Sequence, residues 1–540
     1  MQMQATMMHM PMTVRMLMEH GARIFPESNI STFDGETIQH TPYREVADRA
    51  ASLAGALREL GVGQNDRVAT FSWNSQAHME AYLAVPAMGA VLHTVNIRLS
   101  PEQVAWVINH AQSRVVILDA RLAEQFAPVL PLLDSLRHLV VVGEAETDLG
   151  SAPVVSYEEA VAAQPAAFAW PELEETSAAA ICYTSGTTGN PKGVVYSHKT
   201  TFIHSLASRA VDTFGINERD RILLLPPMFH ANAWGLPYSG WMSGSDIIMP
   251  GPHLQPEGIR RMINAERPTF TAMVPTVLGD LLRASDEGDV DMRSFRMLVS
   301  GGSAVAPSLI DAARERWNVP VLQGWGMTET SPLCALSHAP RDPGDGGETP
   351  WRAKSGRPVP GVQVRIVDAE GRPLPEDGES VGELQLRGPW ITGGYHNADT
   401  PDVLSDDGWL RTGDVGYIDA RGYVQLTDRT KDVIKSGGEW ISSVDLENTL
   451  LASPDVAEAA VIATSDPRWQ ERPLAIVVVQ QDGIGAGDLR EYLQGRVAGF
   501  WIPEYWSFVS EIPKTSVGKI DKKKLRAMHE AGDIVVTYQK

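Results

Sequence analysis

The sequence has little cysteine and no long apolar run. Its 540 residues include two cysteines, Cys182 and Cys334. They allow at most one disulfide bond, so a disulfide-built scaffold is excluded and a reducing compartment is expected. No apolar run approaches the roughly 18 residues that a membrane-spanning helix needs, and the first residues lack the basic segment and cleavage site of a signal peptide. We therefore expect a cytoplasmic protein with no integral membrane segment.

Positive charge is also scarce. Lysine and arginine number 46 against 67 aspartates and glutamates, which gives a formal net charge of −21. This balance argues against a nucleic-acid partner, because such proteins carry a basic footprint. An anionic substrate would have to be met by local basic side chains and backbone N–H groups.

Apolar runs alternate with amphipathic segments from about residue 66 to residue 325. Helices are predicted over 256–266 and 306–317. Buried strands are predicted at 67–73, 114–120, 138–143, 178–184, 221–226, 246–251, 269–274, 296–302 and 319–324. Alternation of this kind is typical of an α/β fold with parallel sheets, which places ligands at the carboxyl ends of strands.

The pattern changes after about residue 355, where strands are joined by glycine-rich turns. The last 110 or so residues are mixed α+β and favour a separate small domain, since so long a chain exceeds one core. We predict a large N-terminal domain, residues 1–429, of parallel α/β sheets with a β-rich subdomain, and a small C-terminal domain, residues 430–540.

The strongest local motif runs from Tyr183 to Gly193, with the sequence YTSGTTGNPKG. It follows a predicted strand, and its glycines and hydroxyl residues suit a loop that wraps a polyphosphate with N–H and O–H donors. Lys192 would supply the compensating charge. The lysine follows a proline, so the motif is not a Walker A loop. A simple surface turn is the weaker interpretation.

Further motifs follow in order: QGWGMTET at 323–330, TGD at 412–414, DR at 428–429, KSGGEW at 435–440 and PKTSVGK at 513–519. Together with YTSGTTGNPKG they resemble the motifs of the adenylate-forming superfamily, which includes acyl-CoA synthetases, firefly luciferase and the adenylation domains of peptide synthetases. The sequence is most similar to bacterial medium- and long-chain fatty acyl-CoA synthetases, and 3-methylmercaptopropionate–CoA ligases are near relatives.

The resemblance implies an ATP-dependent ligase that converts a carboxylic acid into its acyl-adenylate and then transfers the acyl group to coenzyme A. It assigns Mg²⁺ to Glu329 and Thr184, and the adenine to the face of Trp325, where the family more often has tyrosine. The weaker interpretation of Glu329 is a carboxylate that caps the N-terminus of a following helix. Asp414, predicted in a turn after a strand, would accept hydrogen bonds from the ribose hydroxyls. The implied ATP or AMP ligands are Thr184, Ser185, Gly186, Thr187, Thr188, Gly189, Lys192, Gly302, Gln323, Gly324, Trp325, Gly326, Thr328, Asp414, Arg429, Lys431 and Trp440.

The segment PPMFHANAW at 226–234 resembles the family's acyl pocket. His230 would lie beside the reacting carboxylate and Trp234 would resemble the gate of a fatty-acid tunnel, although either could be an ordinary core residue. The implied acyl-binding residues are His230, Ala231, Trp234, Gly301 and Gly302. Those implied for coenzyme A are Lys435, Gly437 and Gly438.

Lys519, His230 and Lys435 are the implied catalytic residues. Lys519 would neutralise charge on the α-phosphoryl group during adenylation. The family's domain alternation, a rotation about residues 431–432, would then present Lys435 for thioester formation. A homodimer is expected by analogy.

Three alternatives stay open at this stage. The acid could be 3-methylmercaptopropionate or another short or aromatic acid. The adenylate could be delivered to oxygen or to a carrier protein. In a different class, the chain could be a non-catalytic nucleotide-binding regulator.

Overall fold

The computed structural model describes residues 5–150, 153–184, 190–287, 290–429, 432–436, 439–481, 483–515 and 519–539, apart from the side chains of 286–287, 435 and 439–440. The chain forms two compact units. The first comprises Met1–Thr271, Met327–Leu333 and Gly394–Thr400, and the second comprises Ala272–Gly326, Cys334–Gly393 and Pro401–Lys540.

The first unit contains strands β1 to β11, the first two residues of strand β12, and helices α1 to α9. The strands are β1 Asn29–Phe33, β2 Ile38–Pro42, β3 Arg67–Phe71, β4 Val91–Thr94, β5 Ser113–Asp119, β6 His138–Val142, β7 Val154–Ser156, β8 Ala178–Tyr183, β9 Gly193–Ser197, β10 Arg221–Leu223, β11 Asp246–Met249 and β12 Phe270–Met273. The helices are α1 Val14–Ile24, α2 Tyr43–Glu59, α3 Gln76–Ala87, α4 Pro101–Ala111, α5 Ala123–Phe126, α6 Tyr157–Ala162, α7 His198–Ser208, α8 Leu236–Ser243 and α9 Pro256–Glu266.

One sheet of this unit has the strand order β7-β6-β5-β3-β4-β8-β9. Its strands run parallel except for β9, which is antiparallel to β8. The other strands follow the order β12-β10-β11-β1-β2. Val115, Val116, Ile117 and Leu118 of β5 are all buried, as expected of a parallel strand that is covered on both faces.

The second unit contains β13 to β26 and α10 to α15. The strands are β13 Met297–Gly301, β14 Val321–Gly326, β15 Leu333–Leu336, β16 Arg357–Pro358, β17 Gln363–Val367, β18 Gly382–Arg387, β19 Leu410–Ile418, β20 Val424–Arg429, β21 Ile434–Ser436, β22 Glu439–Ile441, β23 Val456–Asp466, β24 Gln470–Val479, β25 Tyr505–Phe508 and β26 Thr537–Tyr538. The helices are α10 Pro275–Glu287, α11 Pro307–Trp317, α12 Thr349–Arg352, α13 Ser443–Leu451, α14 Ala486–Leu493 and α15 Lys522–Ala531.

Three groups of strands organise this unit. Strands β13 and β14 are parallel, with β15 and β16 beside them. Strands β17 to β20 form an antiparallel sheet, which is the predicted β-rich subdomain. The last part of the chain is α+β, with the strand order β22-β21-β24-β25-β26 and β23 against β24.

The predicted fold class is confirmed: parallel α/β sheets, a β-rich part and a C-terminal α+β part are all present. Each of the nine predicted strands overlaps a strand, and the predicted helices coincide with α9 and α11. The domain boundary at 429–430 stays a prediction, since 430–431 lie outside the described residues. Within the described part of the chain, no helix combines the length and apolarity required to cross a membrane.

Candidate active site

Strands β8 and β9 hold the two ends of the predicted phosphate loop. Tyr183 pairs with Gly193 in the antiparallel register. The Thr184 N–H donates to the Lys192 carbonyl at 2.9 Å, and the Lys192 N–H donates to the Thr184 hydroxyl oxygen at 3.2 Å. These contacts close the neck of the loop. The predicted ligands Ser185, Gly186, Thr187, Thr188 and Gly189 lie outside the described residues.

A cluster of rings braces both ends of this loop. The Tyr183 hydroxyl is 2.7 Å from Nδ1 of His110 on α4. His110 stacks on Trp106 with ring centroids 4.5 Å apart and meets the edge of His396 at 5.4 Å. The backbone N–H of His396 in turn donates to the Gly193 carbonyl at 2.8 Å. His110 and His396 were not predicted, because neither lies in a motif or near the loop in the sequence.

Glu329 belongs to the same unit and is buried. The Tyr395 hydroxyl donates to its Oε1 at 2.6 Å, and the Lys192 ammonium is 5.0 Å from the centre of the Tyr395 ring. Burial, and then the Glu329 charge, raises the pKa of Tyr395, so its hydroxyl stays protonated and keeps donating. Tyr395 therefore connects Lys192, at the neck of the phosphate loop, to Glu329. It too was missed, since a tyrosine in a glycine-rich turn carries no signal of its own.

The residues proposed for Mg²⁺ suit that ion chemically. The Glu329 carboxylate and the Thr184 hydroxyl are oxygen ligands, which Mg²⁺ prefers. Among the described residues, no group of three His, Cys, Asp or Glu side chains could hold a metal ion. With these two protein ligands, a magnesium ion would complete its shell with water and phosphate oxygens, as Mg²⁺ commonly does.

The predicted acyl motif forms a left-handed turn. Four consecutive non-glycine residues, 231–234, have φ between 44° and 60°, and Gly235 follows with φ 76°. Each such non-glycine residue costs roughly 1–2 kcal/mol, so surrounding contacts must fix this backbone. His230, just before the turn, and Trp234 are partly exposed, whereas Ala231 is buried.

In the second unit, Trp325 and Arg429 hold Asp414. The Trp325 indole N–H donates to Asp414 Oδ2 at 3.0 Å, and Arg429 Nε lies 3.3 Å from Oδ1. Burial raises the pKa of Asp414, while the Arg429 charge and the Trp325 hydrogen bond oppose that rise. Tryptophan therefore retains a hydrogen-bond donor where the family more often has tyrosine.

Asp414 does not occupy the predicted turn. It lies within β19, where Arg411 pairs with Gln385 of β18 and Val415 pairs with Glu383, so that the three residues 412–414 stand opposite the single residue Leu384 and form a bulge. Gly413 has φ 69°, a conformation that glycine adopts without a steric penalty. Asp414 also pairs directly with Arg429 of β20, which places the two side chains on the same face of the sheet.

Gly302 and Lys519 approach each other closely. A Cβ at Gly302 would lie 2.8 Å from Lys519 Cε and 3.4 Å from its Nζ. The Lys519 charge also acts on Asp414, whose pKa it lowers. The Thr515 N–H donates to the Lys519 carbonyl at 2.6 Å, and the Lys519 N–H donates to the Thr515 hydroxyl oxygen at 3.2 Å. The second unit thus brings together Lys519, Gly302, Asp414, Trp325 and Arg429.

Gln323 supports the turn that follows Gly302. Its side-chain carbonyl accepts from the Val305 N–H at 2.7 Å, and its backbone N–H donates to the Ser337 hydroxyl oxygen at 2.6 Å. Gln323 is buried. Gln323 is therefore placed to stabilise the turn at residues 302–305.

The remaining predicted residues are placed only in part. Lys435 pairs with Trp440 in the hairpin of β21 and β22, but their side chains lie outside the described part. Lys431, Gly437 and Gly438 also lie outside it. Gly301 ends β13, and Gly324 and Gly326 belong to β14, while Thr328 accepts from the Tyr196 hydroxyl through its carbonyl at 2.7 Å.

Family models match most of the chain. The model described as AMP-binding enzyme matches residues 18–396, and the model described as AMP-binding enzyme C-terminal domain matches residues 445–519. The second match lies in the α+β part of the chain that contains α13, β23 and β24.

Curated relatives align over nearly their whole length. A long-chain-fatty-acid–CoA ligase of Thermus thermophilus is 43% identical over 539 residues, which cover 97% of each chain. A 3-methylmercaptopropionyl-CoA ligase of Ruegeria pomeroyi is 39% identical and is covered to 98%, with 96% of this chain aligned. A medium-chain-fatty-acid–CoA ligase of Ectopseudomonas oleovorans is 39% identical, with 98% of each chain aligned.

Solved structures with the same fold include an anthranilate-CoA ligase in complex with anthranoyl-AMP, with a TM-score of 0.88, 26% identity, and coverage of 98% of this chain and 100% of that one. ATP-bound MatB from Rhodopseudomonas palustris has a TM-score of 0.81 at 26% identity, with 96% of this chain and 99% of that one aligned.

Proposed function

Because the chain belongs to the family of AMP-binding enzymes, we propose that it joins a medium- or long-chain fatty acid to coenzyme A by way of an acyl-adenylate. It is an AMP-forming acid–thiol ligase, and ATP and coenzyme A are its co-substrates. We propose the fatty-acid specificity, the use of Mg²⁺ and the roles assigned to individual residues. The main structural observation that supports this mechanism is the contact between Lys519 and Gly302, in the unit that also contains Asp414.

The nucleoside part of ATP is assigned to Trp325 and Asp414. The Trp325 ring offers a flat apolar face for the adenine. The Asp414 carboxylate, held by Arg429 and by the indole N–H, is an acceptor for the ribose hydroxyls. Because a hydrogen bond to a charged acceptor is stronger than one between neutral groups, Asp414 would fix the sugar firmly.

The phosphates are assigned to the loop whose neck is Thr184 and Lys192. Lys192 would place positive charge on the pyrophosphate that leaves, and Tyr395 would keep Glu329 in place for the metal. When bound, Mg²⁺ would neutralise phosphate charge and orient the phosphate oxygens for in-line attack.

Lys519 is assigned to the adenylation step. The acid is already ionised at neutral pH, so attack on the α-phosphorus needs no general base. It needs the acid oxygen to be held in line and the developing charge to be neutralised. Lys519 Nζ would supply that charge above Gly302, a residue whose missing side chain leaves room for it.

The second half-reaction is assigned to the same C-terminal part in another orientation. Rotation about residues 431–432 would withdraw Lys519 and present Lys435, Gly437 and Gly438 to coenzyme A. A homodimer and a cytoplasmic location stay predictions.

The identity of the acid is the most specific part of the proposal. Fatty-acid ligases at 43% and 39% identity support a fatty acid, while the 3-methylmercaptopropionyl-CoA ligase at 39% supports the short thioether acid as the second candidate. Each buried methylene contributes about 0.8 kcal/mol to binding. A pocket that accepts an acyl chain should therefore bind longer chains more tightly.

The test is acid-dependent exchange of pyrophosphate into ATP across a series of acids. We expect kcat/KM to rise with chain length and to favour acids of about eight carbons or more over 3-methylmercaptopropionate by roughly tenfold or more. A preference for the thioether acid would replace the fatty-acid proposal. A purified, folded chain that supports no exchange with any acid would favour the regulator.

A further inference from the structure

The left-handed turn after His230 needs an anchor. Ala231, Ala233 and Trp234 lack the short polar side chain that eases this conformation, and only Asn232 among the four non-glycine residues is of a type that adopts it readily. Strained backbone of this kind persists only where surrounding structure fixes it, and it is frequent at functional sites.

Asn232 provides the described anchor. It is buried, and its side-chain oxygen accepts from the Cys182 thiol with sulfur and oxygen 3.1 Å apart. The Tyr82 hydroxyl lies 3.3 Å from the same oxygen and donates to the Met228 carbonyl.

The anchor is built on the strands that carry the phosphate loop. Cys182 lies on β8, two residues before Thr184. Tyr196 lies on β9, the strand paired with β8, and its hydroxyl donates to the Thr328 carbonyl at 2.7 Å. Through Cys182 and Tyr196, the turn is therefore held in register with the neck of the loop and with the segment that contains Glu329.

The other end of the turn is packed against His204 on α7. A Cβ at Gly235 would lie 2.6 Å from His204 Cε1, and His204 Nε2 accepts from the Leu333 N–H at 3.2 Å. Gly235 therefore ends the turn where no side chain fits. Two independent contacts, one at Asn232 and one at Gly235, fix the backbone between them.

We propose that Asn232, held by Cys182, is a positioning residue that sets the acid selectivity of the enzyme. This inference rests on the proposed function and on the predicted acyl-binding role of His230 and Trp234. Asn232 itself would touch no substrate. It would keep the two residues in place because the turn that joins them cannot relax toward ordinary right-handed backbone.

The test compares kinetic constants and chain-length profiles of pyrophosphate exchange for several variants. Asn232→Leu keeps volume but removes the acceptor, and we expect the KM for the preferred acid to rise by about tenfold or more. The KM for ATP should change by less than about twofold, and the chain-length profile should flatten. Asn318→Leu is the matched control, because Asn318 is an exposed asparagine with φ 55° that ends α11.

Two variants at Cys182 test the inference even if Asn232→Leu fails to fold. Cys182→Ser retains a donor and should preserve the profile, whereas Cys182→Ala removes it and should shift the acid KM in the same direction as Asn232→Leu. Equal changes in the acid and ATP constants, or an unchanged profile in folded Cys182→Ala and Asn232→Leu, would overturn the inference. Wild-type protein without acid-dependent exchange would instead overturn the proposed function.

Discussion

Two structural constraints require glycine at position 302. Its φ of 86° lies in the left-handed region, and the Lys519 side chain occupies the space where a Cβ would be. Backbone freedom alone would explain many glycines at strand ends. The close approach of Lys519 adds a functional reason, because it lets a charged side chain reach the end of β13.

Gly302→Ala is therefore expected to slow adenylation by about tenfold or more, since Lys519 must move away from the added methyl. Gly408→Ala is the matched control: its φ is 82°, and a Cβ there would meet nothing within 4 Å. Pyrophosphate exchange measures the loss. Equal rates for the two variants would show that backbone strain, and not the contact with Lys519, limits the reaction.

Glu329→Gln should raise the Mg²⁺ concentration that gives half-maximal exchange by about tenfold or more, because a neutral amide is a poor ligand for that ion. Tyr395→Phe should shift it in the same direction by a smaller factor, since the carboxylate remains but loses its hydrogen bond. Glu379→Gln, at an exposed position, is the control. Magnesium titrations that superimpose for Glu329→Gln and wild type would remove Glu329 from the metal site.

The sequence marks candidate site residues that lie inside motifs, but it does not mark the residues that hold them in place. Asp414 and Lys519 were predicted as ligand-facing residues, and the structure brings both to one region of the second unit. Tyr395 and His110 were not predicted. They act on Glu329 and Tyr183 across many residues of sequence, and no local pattern of spacing or composition marks such a contact.

Helix α13 illustrates how an element is fixed. The Ser442 hydroxyl oxygen caps it by accepting from the Asp445 N–H at 3.1 Å. Asp428 of β20 accepts from the N–H and the hydroxyl of Ser443 at 2.8 and 2.6 Å, and Lys522 of α15 pairs with Glu447 at 2.8 Å. These contacts join β20, α13 and α15 to one another.

Asp445 in the first turn of α13 gives a pH-dependent prediction. Burial raises its pKa to about 6 from 3.8, the Ser442 hydrogen bond opposes the rise, and the Asp428 charge adds to it. Between these two values the folded chain binds more protons than the unfolded chain, so stability falls as pH rises through that window. Asp445→Asn should raise the melting temperature above pH 6 by about 1–3 °C.

That gain should vanish as pH falls below the ordinary aspartate pKa of about 3.9, where both states are protonated. Thermal melts across this range provide the measurement, with the exposed Asp406→Asn as control. A gain that is the same at low and neutral pH would refute the assignment to Asp445 ionisation.

At the scale of elements, apolar runs predicted the strands well, because a strand buried on both faces needs side chains such as those of β5. The left-handed turn at 231–235 was not predictable: Ala-Asn-Ala-Trp-Gly has one glycine, and the conformation depends on Cys182 and His204, which are distant in sequence. The bulge at Asp414 was likewise hidden, since it depends on how β18 pairs with β19.

For the whole molecule, the account requires the C-terminal part to serve two reactions. Lys519→Ala should reduce acyl-adenylate formation by about a hundredfold or more, yet still convert supplied acyl-AMP and coenzyme A to acyl-CoA. Lys523→Ala, at an exposed position nearby, should leave both rates unchanged. If Lys519→Ala depresses the two half-reactions equally, a scheme with a separate face for each step is wrong.

The central claim is that ATP is split between its α- and β-phosphorus, with AMP as the temporary carrier of the acid. Phosphorus NMR of purified protein with ATP, Mg²⁺, coenzyme A and a fatty acid tests it directly. The account predicts AMP and pyrophosphate in equal amounts, matched by acyl-CoA. Release of ADP and orthophosphate would contradict it.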